Sequence, residues 1–547
     1  MSGRERIPVS EPSGIRTREY SGWQVTVSAM TSRHDARPRA RSTALRLAAA
    51  ALALATVAAC TTPEPEHVPV TGPAGATTQP PAAALADYYD QHLDWTRCGG
   101  FECADLRVPI DYDNPSGGDI AIKVLKAPAT NAGKRIGSLV VNPGGPGGSG
   151  VQYAKSADFI VGRAVRSSFD IVGFDPRGVG ESAPIDCLSD GALDDFLGTD
   201  PTPDNRAEEQ DLVTAARTMA SGCEANNRKL LAHVSTEDAA KDMDVLRAAL
   251  GDSQLNYLGK SYGTFLGSTY AGMFPERVGR FVLDGVVPPD LTSAQQAEGQ
   301  AKGFELATRA YVADCVGEGG CPLGGSVDEG MAWIRAFLKG LDANPIRSGD
   351  PAEPKLTEAW ASLGIAAAMY DQGSWGILTD ALREAHAGNG ASLMGLANTY
   401  ADRVPGGGYT GNIMEVIYAV NCLDRPDSPD IATYEGYEAK FSKVAPTWGP
   451  FLAWGSIACG FWPVKGDNPP HKISAEGSNP IVVVGTTRDP ATIYEWSEQL
   501  RDQLDNAVLV SLDGDGHTAY TRGSQCVDHA IDAYYVQGVV PKDGLMC

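Results

Sequence analysis

Of the 547 residues, 45 are Lys or Arg and 68 are Asp or Glu, a formal net charge of −23. That balance argues against a nucleic-acid partner and for solubility, with at most a modest pull on cationic peptides. The length accommodates a large domain plus an accessory one, and no C-x-x-C pair or H-E-x-x-H occurs, so neither a metal nor a cofactor is expected.

The N-terminus reads as a targeting segment. Arg33, Arg37, Arg39, Arg41 and Arg46 form a basic region, followed by a mostly apolar run over 47–59 and then Cys60. Such a run is too short to span a bilayer but suits the apolar core of a signal peptide. Met30 is an alternative start that leaves a basic region of ordinary length. Val57-Ala58-Ala59-Cys60 matches a bacterial lipobox, in which the cysteine is lipidated and becomes the mature N-terminus. A simple secretory signal cut near Ala59 is the alternative. Residues 1–59 are therefore read as signal. Residues 60–92 are read as the lipid-anchor cysteine and a linker, because 61–86 is rich in Pro, Thr and Ala without apolar periodicity. The expected location is the outer face of the cell membrane, held by the lipid, or the medium if the lipid is absent. A monomer is expected. The ten cysteines other than Cys60 are an even set in an exported chain, which suggests five disulfides, each pairing sequence neighbours.

From 93 to 290, strand-like runs at 120–125, 136–141, 169–174, 255–258 and 281–283 alternate with helical stretches. This pattern predicts a mainly parallel sheet with helices on both faces. The run at 136–141 opens into Asn142-Pro143-Gly144-Gly145-Pro146-Gly147-Gly148-Ser149-Gly150. No phosphate-loop spacing follows, so the glycines are better read as letting a backbone N–H approach a reacting carbonyl. Ser235 is a helix N-cap with an acid three residues on, and Ala239, Met243, Leu246 and Leu250 mark one helical face before Gly251.

A short strand and Gly259-Lys260-Ser261-Tyr262-Gly263 come next, then a helix that stops at Pro275. Strand, G-x-S-x-G and helix together form the nucleophile elbow of an α/β-hydrolase, with Ser261 as nucleophile and the N–H of Tyr262 as one oxyanion donor. Helical patterns replace strands from 291 to 470, predicting an inserted α-helical cap; Trp333, Trp360, Trp375, Trp448 and Trp454 lie in it. The core resumes over 471–547. An apolar run at 480–485 empties into Asp489, and the run at 507–512 is followed by Asp513-Gly514-Asp515-Gly516-His517. Strand ends are where such sheets place their chemistry, and the order Ser, Asp, His fits, so Asp489 and His517 complete the triad. Asp513 and Asp515 are rivals as the acid, placed so near His517 that they more simply shape its turn. His386 and His529 fall in helical patterns, and His471 precedes a strand instead of following one.

Asn142-Pro-Gly-Gly-Pro-Gly, Gly173-Phe-Asp-Pro-Arg-Gly178, the elbow, Asp489-Pro-Ala-Thr492 and Gly516-His517-Thr518 resemble the secreted tripeptidyl aminopeptidases, relatives of proline iminopeptidase that include actinobacterial lipoproteins. The resemblance covers about 93–547. It implies an α/β-hydrolase core, a helical cap, cleavage of short peptides from an N-terminus, and Gly145 as the other oxyanion donor. Lys260 is not a residue the mechanism requires; a solvated or cap-facing lysine is the plain reading. An aminopeptidase must hold a substrate ammonium, which calls for cleft carboxylates, and the cap offers Glu298, Glu305, Glu358, Asp371, Glu415 and Asp424. A carboxylesterase with the same triad is the alternative enzyme, acting on a small ester instead of a peptide. An inactive binding scaffold is the rival from another class.

Overall fold

The computed structural model describes residues 79–466 and 468–547. The signal segment, Met30, Cys60 and most of the linker lie outside the described residues.

Val-, Ile- and Leu-rich runs, buried on both faces, read as parallel strands, and they build the centre of the sheet. The strands are β1 (Thr96–Cys98), β2 (Phe101–Pro109), β3 (Asp119–Ala127), β4 (Gly137–Asn142), β5 (Phe169–Phe174), β6 (Leu255–Lys260), β7 (Val278–Asp284), β8 (Ile346–Arg347), β9 (Lys355–Leu356), β10 (Ile481–Arg488), β11 (Ala507–Asp515) and β12 (Leu545–Met546). Ten of them form one sheet in the order β1-β2-β3-β5-β4-β6-β7-β10-β11-β12. From β5 to β12 every pairing is parallel, whereas β1, β2 and β3 join antiparallel at one edge. Because side chains alternate along a strand, Val140, Tyr257, Leu283 and Val483 pack on one face and Val141, Leu258, Val282 and Val484 on the other. Helices cover both faces. This is the expected α/β-hydrolase core.

Four details differ from expectation. The hairpin β1–β2, closed by the disulfide Cys98–Cys103, precedes the first expected strand. Its period was readable: Ala104, Leu106 and Val108 are buried while Asp105 and Arg107 are exposed. The linker ends before 92, because Leu85, Tyr88 and Tyr89 are buried in the core and the Tyr89 hydroxyl donates to Asp244 Oδ2 at 2.5 Å. Within the cap, β8 and β9 pair antiparallel. The covering layer is also not a single insertion. Helices Asp190–Gly198 and Arg206–Asn227, between β5 and β6, join it: Arg403 forms a buried two-pronged ion pair with Asp194 at 2.7 and 2.8 Å, and Phe196 packs edge-on to Tyr418 at 5.2 Å.

All ten cysteines pair with their sequence neighbours: Cys98–Cys103, Cys187–Cys223, Cys315–Cys321, Cys422–Cys459 and Cys526–Cys547. Cys187–Cys223 closes the first part of the covering layer on itself, Cys315–Cys321 and Cys422–Cys459 close loops within the cap, and Cys526–Cys547 pins the C-terminus.

Candidate active site

Strand β6 ends at Lys260 and the helix Tyr262–Met273 starts one residue after Ser261, so the chain must reverse at the serine. Ser261 does this with φ 57° and ψ −127°, a region that costs a non-glycine residue roughly 1–3 kcal/mol. Neighbouring bonds hold the strain in place. The Ser261 N–H donates to the Asp284 carbonyl at 3.0 Å, and its own carbonyl accepts the Thr264 hydroxyl at 2.6 Å and N–H at 2.8 Å. A Cβ at Gly259 would sit 2.2 Å from the Gly263 carbonyl oxygen, so only glycine permits so tight a reversal. Ser261 is half-buried, and its Oγ bonds to no described protein atom.

At the ends of β10 and β11 the structure brings Asp489 and His517 together. Imidazole Nδ1 lies 2.9 Å from both Asp489 carboxylate oxygens, with both side chains buried. The carboxylate is also fixed by the N–H groups of Ala491, Thr492 and Thr518 and by the Thr492 hydroxyl, at 2.9–3.1 Å. An acceptor so furnished sets the proton on Nδ1 and leaves Nε2 as a lone pair. Nε2 is buried and bonded to no described protein atom. The path to the serine is short. Ser261 N–H bonds to Asp284, and a Cβ on the next residue, Gly285, would lie 3.2 Å from His517 Cε1. From the cap, the Tyr370 carbonyl accepts the His517 N–H at 2.9 Å and its ring packs edge-on to the imidazole at 5.1 Å.

The rival residues are occupied elsewhere. Asp513 and Asp515 both pair with Arg488, at 2.8 and 2.7 Å. His386, His471 and His529 are exposed.

The glycine loop after β4 packs directly on the elbow. A Cβ on Gly144, whose φ is +96°, would come 2.5 Å from the Lys260 carbonyl oxygen, 2.8 Å from Ser261 Cβ and 3.0 Å from the Tyr262 nitrogen. The Gly144 N–H is taken by the Asn142 side chain at 2.9 Å. The N–H groups of Gly145 and Tyr262 bond to no described acceptor, so two donors remain available beside Ser261. Asp175 of the Gly173–Gly178 motif braces the loop by accepting the Ser149 hydroxyl at 2.6 Å and the Val151 N–H at 3.1 Å.

Lys260 is neither solvated nor turned to the cap. It is buried, with Nζ 2.8 Å from the Tyr520 carbonyl and 3.6 Å from Asp284 Oδ2. Asp284 in turn accepts the N–H groups of Ala519 and Tyr520 at 2.9 and 3.0 Å. Burial pushes the Lys260 ammonium down and the Asp284 carboxyl up from their usual ranges, each opposed by the other's charge. This pair clamps the loop that carries His517 against the strand end that carries Ser261. The sequence hid the clamp because its members lie 24 and 260 residues from Lys260.

The two insertions leave a cavity of about 320 Å³ lined mainly by apolar side chains, among them Phe196, Met414, Tyr418 and Trp454. Neither the Ser261, Asp489 and His517 side chains nor the glycine loop line it, but its walls bond to residues that flank them. Lining residue Gln300 donates to the Ala491 carbonyl at 3.4 Å, and lining residue Tyr400 meets the hydroxyl of Tyr370 at 3.5 Å. The helix Ile413–Asp424 stands between cavity and glycine loop, with Val416 in reach of any Cβ on Gly147. Of the five cap tryptophans only Trp454 lines the cavity; Trp360 and Trp448 are core.

None of the six cap acids enters this cavity. Glu298 pairs with Lys302 and Lys440 on the surface. Glu305 accepts the N–H groups of Thr447 and Trp448, and Glu415 those of Cys187 and Leu188. Asp371 caps a turn and reaches Arg522. Asp424 accepts the Thr236 N–H and hydroxyl; burial raises its carboxyl to about 6. Glu358 is pushed up to about 7 by burial and the charge of Asp200. Glu305, Glu415 and Asp424 are thus engaged by partners far away in sequence, and none of the six lines this cavity.

A serine in a strained elbow, an imidazole oriented by a buried carboxylate and two free N–H donors can together carry out acyl transfer. Comparison with known proteins agrees with that chemistry. Residues 445–547 match the family model described as TAP-like protein. Serine protease Hip1 of Mycobacterium tuberculosis is 38% identical over 477 residues, 84% of this chain and 91% of that protein. Carboxylesterase B of the same organism is 36% identical over 507 residues, covering 88% and 95%. Tripeptidyl aminopeptidase of Streptomyces coelicolor is 30% identical over 485 residues, covering 85% and 86%. The chain thus belongs to the tripeptidyl-aminopeptidase-like family of α/β-hydrolase serine peptidases.

Proposed function

We propose that this enzyme is an exported exopeptidase that releases short peptides from oligopeptide N-termini through an acyl-enzyme on Ser261. The observation that carries the reading is the elbow serine beside the buried His517–Asp489 pair, under a cap that leaves a small apolar cavity. In this reading Ser261 Oγ attacks the scissile carbonyl while His517 Nε2 takes its proton. Asp489 keeps the imidazole in the required tautomer, and the N–H groups of Gly145 and Tyr262 stabilise the oxyanion. His517 then returns the proton to the leaving amine, and water attacks the acyl-enzyme by the same route reversed.

With no carboxylate among the described residues lining the cavity, selection for a chain end rests on its size. About 320 Å³ is at the small end for ligand pockets and suits an acyl group of few residues. Free tripeptidyl anilides are therefore expected to exceed their N-acetylated counterparts in kcat/KM by roughly tenfold or more, the scale on which a closed pocket resists added methylene-sized bulk. The apolar lining also favours a second reading, a carboxylesterase. Equal rates on free and acetylated peptides, with much faster cleavage of short neutral acyl esters, would establish that reading in place of the first.

Export and anchoring rest on the basic and apolar leader and on Val57-Ala58-Ala59-Cys60. Cys60→Ala is expected to abolish incorporation of a fatty-acid analogue and to release the enzyme from the membrane or stall its processing. Label that persists in this variant rules out Cys60 as the anchor.

A further inference from the structure

Among the described residues, Arg425 is the sole charged side chain lining the cavity, and it is 2% exposed. It follows the helix Ile413–Asp424, where a cation is favourable beside the helix C-terminus, and that alone could explain its presence. Its bonding is incomplete, however. Nε donates to the Leu291 carbonyl at 2.9 Å, while Nη1 and Nη2 bond to no described protein atom.

No carboxylate among the described residues lies within ion-pair distance of it. The acids whose charge it feels, Asp424 and Asp290, have their oxygens engaged by Thr236 and by Gln499 and Gln503. Burial accordingly depresses the guanidinium below its usual range. Its carbon stands 4.2 Å over the ring of Phe265, which lies one helical turn beyond Ser261 and packs edge-on to Tyr262 at 6.1 Å. A buried, unpaired guanidinium is costly unless an anion completes it. Here Nη2 is sealed away from solvent and unpartnered, and the guanidinium lines a cavity that no described carboxylate enters, so Nη1 is the donor a ligand can meet.

We propose that the cavity receives a short peptide bearing a carboxylate, which docks on the Arg425 guanidinium through Nη1. The contact is a charge-assisted hydrogen bond, while the apolar walls take the rest of the chain. The inference rests on the reading that Ser261 acylates in this cavity. It goes further by naming an acidic substrate class and by setting aside the ammonium as the charge recognised there. The carboxylate can come from an acidic side chain or from the free C-terminus of a short peptide.

Two substrate pairs separate these sources. Tripeptidyl anilides with Glu against Gln at each position in turn carry no C-terminal carboxylate. Neutral tetrapeptides as free acid against C-terminal amide carry no acidic side chain. A charge-assisted contact predicts a kcat/KM ratio of roughly tenfold to a hundredfold in favour of the carboxylate in one of the pairs. In Arg425→Gln the ratio should fall to about one, and in Arg425→Lys an intermediate ratio should survive because the charge remains while the donor shifts. Reading a ratio within each variant makes the result independent of its overall rate, and labelling of Ser261 by a fluorophosphonate reports folding. If Arg425→Gln does not fold, the wild-type ratios still decide, together with inhibition of wild type by succinate against succinamide. Ratios near one in both pairs, or a ratio unchanged in a folded Arg425→Gln, overturn the proposal. Wild type that neither labels nor cleaves the anilides would instead overturn the peptidase reading on which it rests.

Discussion

Ser261→Ala is expected to lower kcat by about five to six orders of magnitude, the scale seen when the nucleophile of a triad is removed. The loss should be chemical, not structural. Ser261 Oγ is free of protein partners and half-buried, so its removal opens no core cavity and breaks no bond. The elbow is held by backbone contacts that alanine retains: N–H to Asp284, and carbonyl to Thr264. Thermal unfolding of the variant should match wild type. An active Ser261→Ala enzyme would move the nucleophile elsewhere.

Asp489→Asn should lower kcat by about 10⁴. The carboxylate accepts from His517 Nδ1 and from four other donors around it. An amide replaces one acceptor with a donor, which must face another N–H or turn the imidazole so that Nε2 carries the proton. The second outcome removes the base, and the first leaves the imidazolium facing an uncharged acceptor beside a clashing donor. Some stability should be lost as well, because a buried donor is left without a partner, at roughly 1–3 kcal/mol. Asp515→Asn is the control. Its partner is Arg488, so it should leave kcat nearly unchanged. The opposite pattern, with Asp515 essential and Asp489 dispensable, would reassign the acid.

The elbow and the pairing of Asp489 with His517 were legible because each rests on a local signal. A buried strand runs into a turn, and the chemistry sits at the strand's end: β6 before Ser261, β10 before Asp489, β11 before His517. The helix before the elbow carried its own marks, and Ser235 does accept from the Asp238 N–H. The cap was legible as helical and no further. Helix faces do not announce their partners, so six acids looked equivalent until Glu415 proved to bond at Cys187, 228 residues away. For the same reason Lys260 looked idle, and Arg425 carried no mark at all. Its incomplete bonding exists only once Leu291, Phe265 and the cavity meet around it. The share of Asp190–Asn227 in the covering layer was hidden likewise, since an amphipathic pattern does not distinguish packing on a sheet from packing on a cap.

The central claim is that Ser261 is the nucleophile of a working acyl-transfer site. Labelling the wild-type enzyme with a fluorophosphonate and locating the adduct by peptide mass spectrometry tests it most directly. The account predicts one stoichiometric adduct on Ser261, lost in Ser261→Ala and greatly slowed in Asp489→Asn. An adduct on another serine, or none under conditions that label a known serine hydrolase, would contradict it.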